Sequence, residues 1–156
     1  MRKQILMVIA FLLLVSAPAA FASDGDKVLV HEDIAKRIVD EGIARIKEVG
    51  PKQAAKDFMD SNGGFRKGSF YLLFYKYDGT CLALGAKPEI AGKNRWNVHD
   101  PDGVYQVQEM IKAAKAGGGW VKYKYANPVT GEVQKKKTWV MPAPGMDAFV
   151  GCGIYY

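Results

Sequence analysis

The sequence predicts an α+β domain built on a five-stranded, mostly antiparallel sheet, and three observations predict it. Apolar residues recur at helical spacing in the first third of the chain, with Ile34, Ile38, Ile43, Ile46 and Val49 set between charges. An aromatic-rich run, "SFYLLFYKYDGTCLAL", then reads as a buried strand, a hairpin turn and its partner. After one more helical stretch, three strand-like segments close the chain, separated by "NPVTG" and "PAPGMD". Two helices, a hairpin, a third helix and three strands make an α+β plan rather than alternating parallel units.

The first helix covers about residues 28–49. Gly50-Pro51 ends it, because Gly suits a C-cap and Pro cannot continue the ladder. A short second helix, about 51–60, presents Ala54, Ala55, Phe58 and Met59 and stops at Ser61-Asn62-Gly63-Gly64. Asp78-Gly79 marks the hairpin. Residues 100–117 read as a third helix, with Pro101 in its first turn, Asp100 or Asp102 as cap, and Val107, Met110, Ile111 and Ala114 as its apolar face. Gly117-Gly118-Gly119 stops it. "WVKYKY", "KKKTWVM" and "AFVGCGIYY" are the remaining strands.

Residues 1–22 have the order of a secretory signal peptide: Arg2 and Lys3, an apolar run from Ile5 to Val15, then Ala20-Phe21-Ala22 at a cleavage site. The run is short for a membrane span, which needs about 20 apolar residues, so an uncleaved anchor is the competing reading. The expected mature chain, 23–156, is one domain, located in the periplasm or otherwise exported. The formal net charge is +6, two of it on Arg2 and Lys3. With one short basic run, Lys135-Lys136-Lys137, and no Arg-rich arm, no nucleic-acid partner is expected.

Catalytic and metal constellations are missing from the pattern. Two cysteines and two histidines lie far apart and make no recognisable metal site, and no cofactor is expected. "GAKPEIAGKN" departs from a phosphate loop in both its glycine spacing and its last residue. "DPDG" lacks the remaining ligand positions of a calcium loop. An enzyme would have to use Cys152, which has no sequence-evident base although His31 or His99 could approach it in space, or His99 with Asp100 as an acid–base pair, a neighbour pair that more often is solvated.

Taken in order, "FRKGSFYLLFYKYDGTCLAL", "GKN", "DPDG", "GGGWVKYKYANPVTGE", "KKKTWVM" and "FVGCGIYY" resemble the successive blocks of the single Cache domains. These are extracytoplasmic, PAS-like sensor domains of bacterial chemoreceptors and histidine kinases. The chain departs from that pattern at Arg95 and Trp96, where a bulky aliphatic usually follows GKN, and at Trp139, where Tyr is frequent. Most members run on into a second membrane helix and a transmitter, whereas this sequence stops at Tyr156.

The resemblance implies a long N-terminal helix on one sheet face. It also implies a helix-containing segment, including "AGKNRWNVHDPDG", that crosses the other face and closes a pocket. A solvated loop anchored by Trp96 is the alternative for that stretch. The implied strand order, 2-1-5-4-3, puts one strand between Cys81 and Cys152. Two strand spacings are about 9–10 Å, beyond disulfide reach, so two buried free thiols are expected although export would favour pairing.

The implied function is recognition of a small polar organic ligand, a carboxylate above all. The signal would pass to a membrane-bound receptor or kinase. Lys137 matches a position that tends to face the pocket and would be the cationic anchor. Tyr71, Tyr123, Tyr125 and Trp139 would supply aromatic walls with hydrogen-bonding tips, and Asn94, Arg95 and Trp96 would come from the crossing segment. A ligand-free structural adaptor with a filled core is the other reading.

Overall fold

The computed structural model describes residues 24–156. The expected signal segment, 1–22, lies outside the described residues. Helix α1 spans Asp24–Val49 and α2 spans Pro51–Met59. They are followed by a two-residue strand β1 (Arg66–Lys67), then β2 (Phe70–Lys76) and β3 (Cys81–Leu84). Helix α3 (Gln106–Lys115) precedes the long strands β4 (Gly119–Ala126), β5 (Val133–Pro142) and β6 (Ala148–Tyr155).

All pairings are antiparallel, and β2 and β6 sit at the centre. The main order is β3-β2-β6-β5-β4, as the PAS-like plan implies, and β1 adds a short pairing to β2. Strand β2 therefore separates the strands of Cys81 and Cys152, and both cysteines are buried and unbonded. No helix among the described residues is long and apolar enough to cross a membrane.

Two apolar layers flank the sheet. On one face α1 and α2 bring Ala35, Val39, Ile46, Ala54 and Phe58 against Leu72, Phe74, Val150, Cys152 and Ile154. On the other face α3 brings Val107, Met110, Ile111 and Ala114 against Leu73, Leu84, Val121 and Tyr123. Because side chains alternate along a strand, β2 gives Leu72 and Phe74 to the first layer and Tyr71, Leu73 and Tyr75 to the second. This explains the continuous apolar run in the sequence.

The third helix starts six residues later than the sequence suggests. Asp100 does not cap it. Its carboxylate accepts the backbone N–H groups of Asp102 (2.9 Å) and Val104 (2.8 Å) through Oδ1, and that of Lys124 (2.7 Å) through Oδ2. "DPDG" is a tight turn closed by the Gly103 N–H on the Asp100 carbonyl, with Gly103 at φ 82°. The acceptors a helix start would need are thus committed to holding the turn on the edge of β4.

Candidate functional site

The crossing segment runs along the free edge of β3. Lys93 O accepts from Cys81 N–H and Cys81 O accepts from Gly92 N–H, while Arg95 N–H donates to Gly79 O. This pairing turns the Arg95 side chain into a cleft between the sheet and α3. Tyr71, Leu73 and Tyr75 of β2, Leu84 of β3, Tyr123 and Tyr125 of β4, and Gln106, Val107 and Met110 of α3 complete its lining. The free volume is about 20 Å³, room for one water.

Four of the eight residues singled out in the sequence meet in this cleft: Tyr71, Tyr123, Tyr125 and Arg95. The other four do not. Asn94 holds the hairpin, its Nδ2 donating to Asp78 O and its Oδ1 accepting from Trp96 N–H. Trp96 lies outside, 39% exposed, beside Gly79, with its carbonyl accepting from Gln108 Nε2. Trp139 is on the α1 face, against Trp120 and under the Lys36 ammonium.

Lys137 also lies on the α1 face, ion-paired with Glu32. The reason is strand register. Tyr123 pairs directly with Lys136 and Lys122 with Lys137, so Lys136 shares the face of Tyr123. The inward lysine of the KKK run is therefore Lys136, one residue before the expected anchor. Counting outward from "NPVTG", with Ala126 opposite Val133, gives this parity. That count is the sequence signal that would have found it.

Lys136 is 1% exposed. Its stem crosses Gly153 of β6, and its Nζ donates to the hydroxyls of Tyr71 and Tyr155. The ammonium also lies 4.2–5.3 Å from the ring centroids of Tyr71, Tyr155 and Tyr125. The Tyr155 O–H donates to Ala126 O (3.0 Å), and the Tyr71 and Tyr155 hydroxyls are 3.2 Å apart. Among the described residues no carboxylate pairs with Lys136. Burial pulls its pKa down to about 7, and the nearby Cys152 opposes only weakly. Burial pushes the Tyr71, Tyr75 and Tyr123 phenols up, so they remain hydrogen-bond donors at every ordinary pH.

Gln106 is a further polar group that no sequence signal marked. It is 6% exposed, and its Oε1 has no hydrogen-bond partner. An orphaned buried acceptor costs about 1–3 kcal/mol unless something fills it. Among the described residues the cleft thus combines a guanidinium and an amide oxygen without partners, a ring of phenols and an amine beneath its floor, with apolar walls from Leu73, Leu84, Val107 and Met110. No Asp or Glu among the described residues lines it.

The residues named for enzyme chemistry do not converge. Cys152 is fully buried on the α1 face, and burial raises its pKa to about 12. His99 is in the crossing segment, its Nδ1 2.9 Å from Asp100 O and its ring edge-on to Tyr105.

Comparison with known proteins agrees with this architecture. The chain is 35% identical over 85 residues to the sensor histidine kinase MctS of Rhizobium johnstonii, covering 54% of this chain and 18% of that protein. It therefore spans less than a fifth of that curated relative. A methyl-accepting chemotaxis protein from Vibrio parahaemolyticus superposes with a TM-score of 0.74 at 19% identity, over 84% of this chain and 92% of that one. A Cache chemosensory domain whose structure concerns carboxylic acid recognition superposes with a TM-score of 0.69 at 20% identity, over 85% and 98%. At these identities the two structures speak for the fold. The profile of Single Cache domain 2 matches residues 33–156, from the third turn of α1 through β6, and the chain belongs to that family of sensor domains.

Proposed function

We propose that the domain is an extracytoplasmic sensor of a small carboxylate, bound in the cleft between the sheet and α3 and reported to a membrane-bound receptor or kinase. The observation that carries this reading is the charge imbalance of the cleft. Among the described residues Arg95 lines it with no side-chain acceptor, Lys136 lies under its floor with no counter-ion, and no acidic side chain lines it. A carboxylate would complete both cations, with phenol donors from Tyr71, Tyr123 and Tyr125 beside them. Lys136 takes the anchoring role first given to Lys137. The carboxylic acid recognition named for a neighbour of the same fold supports the choice of ligand. Export rests on the pattern of residues 1–22.

A ligand-free adaptor has the small free volume in its favour, since little more than one water fits. Thermal-shift and calorimetric titrations with acetate, propionate and pyruvate separate the two readings. A carboxylate at 100 times its dissociation constant raises stability by about 2.7 kcal/mol. Arg95→Met should weaken that binding by about tenfold or more. No shift with any small acid leaves the adaptor standing. For export, the N-terminus of the protein released from cells should be Ser23, and recovery of uncleaved chain in membranes alone would refute it.

A further inference from the structure

We infer that the cleft takes up a proton together with its anion, with Lys136 as the proton acceptor and the Tyr71 hydroxyl as the link between amine and ligand. This rests on the carboxylate reading above. The geometry that carries it is the enclosure of Lys136. The side chain is fully interior, its stem lies where a Cβ on Gly153 would stand, and its Nζ is capped by the hydroxyls of Tyr71 and Tyr155. The two cleft-lining phenols nearest to it, Tyr71 and Tyr125, stand between amine and cleft, with ring centroids 4.2 and 5.3 Å from the ammonium.

The groups around the amine come from every neighbouring element, and among the described residues none is a paired anion. From β2 there is Tyr71, and from β6 Tyr155, with Cys152 behind it on the opposite face. From β4 there are Tyr125 and Tyr123, the latter bonded to Thr138. The crossing segment adds Arg95 in the cleft and Lys87 over the Tyr125 ring, and Glu89 is felt at Tyr125. A buried ammonium with phenols and one thiol as neighbours is poorly compensated, so without an anion the neutral amine is favoured near and above neutral pH.

The two protonation states match two orientations of one hydrogen-bond chain. With the amine neutral, the Tyr71 O–H donates to the Nζ lone pair or to Tyr155. With an anion in the cleft, the chain reverses: Lys136 as ammonium donates to the Tyr71 oxygen, and the Tyr71 O–H donates to the carboxylate. The Tyr155 O–H bond to Ala126 O is kept in both. The added proton comes from solvent and stays on Nζ, so charge balances: one anion and one proton enter together. An anion about 5 Å away through Tyr71 would raise the amine's pKa by about two units at an effective dielectric of about 20.

The test is a pair of measurements on the wild-type domain. The first is a ¹³C NMR titration of the Lys136 ε-methylene, free and with saturating acetate or propionate. The second is the calorimetric dissociation constant of the same acids from about pH 6 to pH 9. The free amine should titrate near 7, and the bound amine at least one unit higher. The dissociation constant should be flat below neutrality and then rise towards tenfold per pH unit. Lys136→Met should weaken binding at about pH 6 and abolish the slope. Binding with a pH-independent constant, or a free amine titrating near its ordinary value of about 10, overturns the coupling and leaves the carboxylate reading intact. No binding of either acid at about pH 6, with the amine charged, overturns both.

Discussion

Lys136 and Gly153 occupy the same space in alternation: the lysine stem lies where a side chain at Gly153 would be. A Cβ on Gly153 would collide with Lys136 Cε and come within 2.6 Å of Thr138 Oγ1. Neighbouring Gly151 likewise faces Thr138 and Leu73 closely. The glycines of "FVGCGIYY" thus hollow the centre of the sheet so that a long side chain from β5 can cross β6 and reach Tyr71 on β2. Gly153→Ala should force Lys136 out of this channel. Overpacking of this kind costs about 1–3 kcal/mol, and carboxylate affinity should fall with it. Chemical denaturation and titration of the variant check both. An alanine variant with wild-type stability would show that the channel yields freely.

Adjacent lysines of one strand should behave oppositely. Lys137 pairs with Glu32 of α1 at a partly buried position, and its ammonium also lies 5.2 Å from the Trp120 ring centroid. Lys137→Met leaves the partly buried Glu32 unpaired and should lower stability by about 1–3 kcal/mol, while carboxylate binding stays unchanged. Lys136→Met replaces an unpaired buried amine with a thioether of similar length. It should leave stability unchanged or raise it, and weaken binding by about tenfold or more. The reverse outcome in calorimetry would put the site on the α1 face.

These two lysines also mark how far the sequence could be read. Periodicity located the helices that pack on one face, the hairpin at Asp78-Gly79 and the three last strands, because each buries a regular set of apolar side chains. The separation of Cys81 from Cys152 followed from the strand order implied by the family resemblance. Three equal lysines carry no such pattern, and only the register across "NPVTG" says which one turns inward. Arg95 in the cleft was legible as the point where the chain departs from the usual aliphatic, whereas neighbouring Trp96, the larger signal, lies outside. Gln106 was invisible, since a polar residue at a helix start looks solvated until a sheet covers it. "DPDG" misled because its residues suit a helix start as well as a turn. The choice was made by Lys124 N–H, more than twenty residues away, which sequence spacing does not show.

Asp100 should govern acid stability. Burial alone would raise its carboxyl, but the backbone N–H donors of Lys124, Val104 and Asp102 together outweigh that and hold it below the usual range. A depressed folded value means that the unfolded chain binds the proton first as pH falls. The stabilisation is therefore present above about pH 4 and lost as pH drops through the folded value. Asp100→Asn should cost about 1–3 kcal/mol at neutral pH and less at about pH 3. It should also weaken ligand binding, because Arg95 rides on the segment that Asp100 fastens. Urea denaturation at the two pH values gives the comparison, and an equal loss at both would remove the carboxylate from the account.

The buried amine predicts a second pH window, opposite in cause. In the folded, ligand-free domain Lys136 titrates near 7, whereas an unfolded lysine titrates near 10.4. Between these values the unfolded chain holds a proton that the folded chain has released. Stability should therefore rise with pH from about 7, by up to about 1.4 kcal/mol per unit. The rise ends at about pH 8.5, where unfolded thiols titrate, because burial raises the Cys81 and Cys152 thiols. Those groups keep their protons in the fold while the unfolded thiols lose them, which favours unfolding at higher pH. The buried tyrosines act in the same sense above about pH 10. Wild-type stability should thus climb between about pH 7 and 8.5 and then turn over. Lys136→Met should lack the climb and keep the alkaline fall. Equilibrium denaturation of both proteins across this range, without carboxylate buffers, checks it. Parallel curves below pH 8.5 would mean that Lys136 keeps its charge in the empty site.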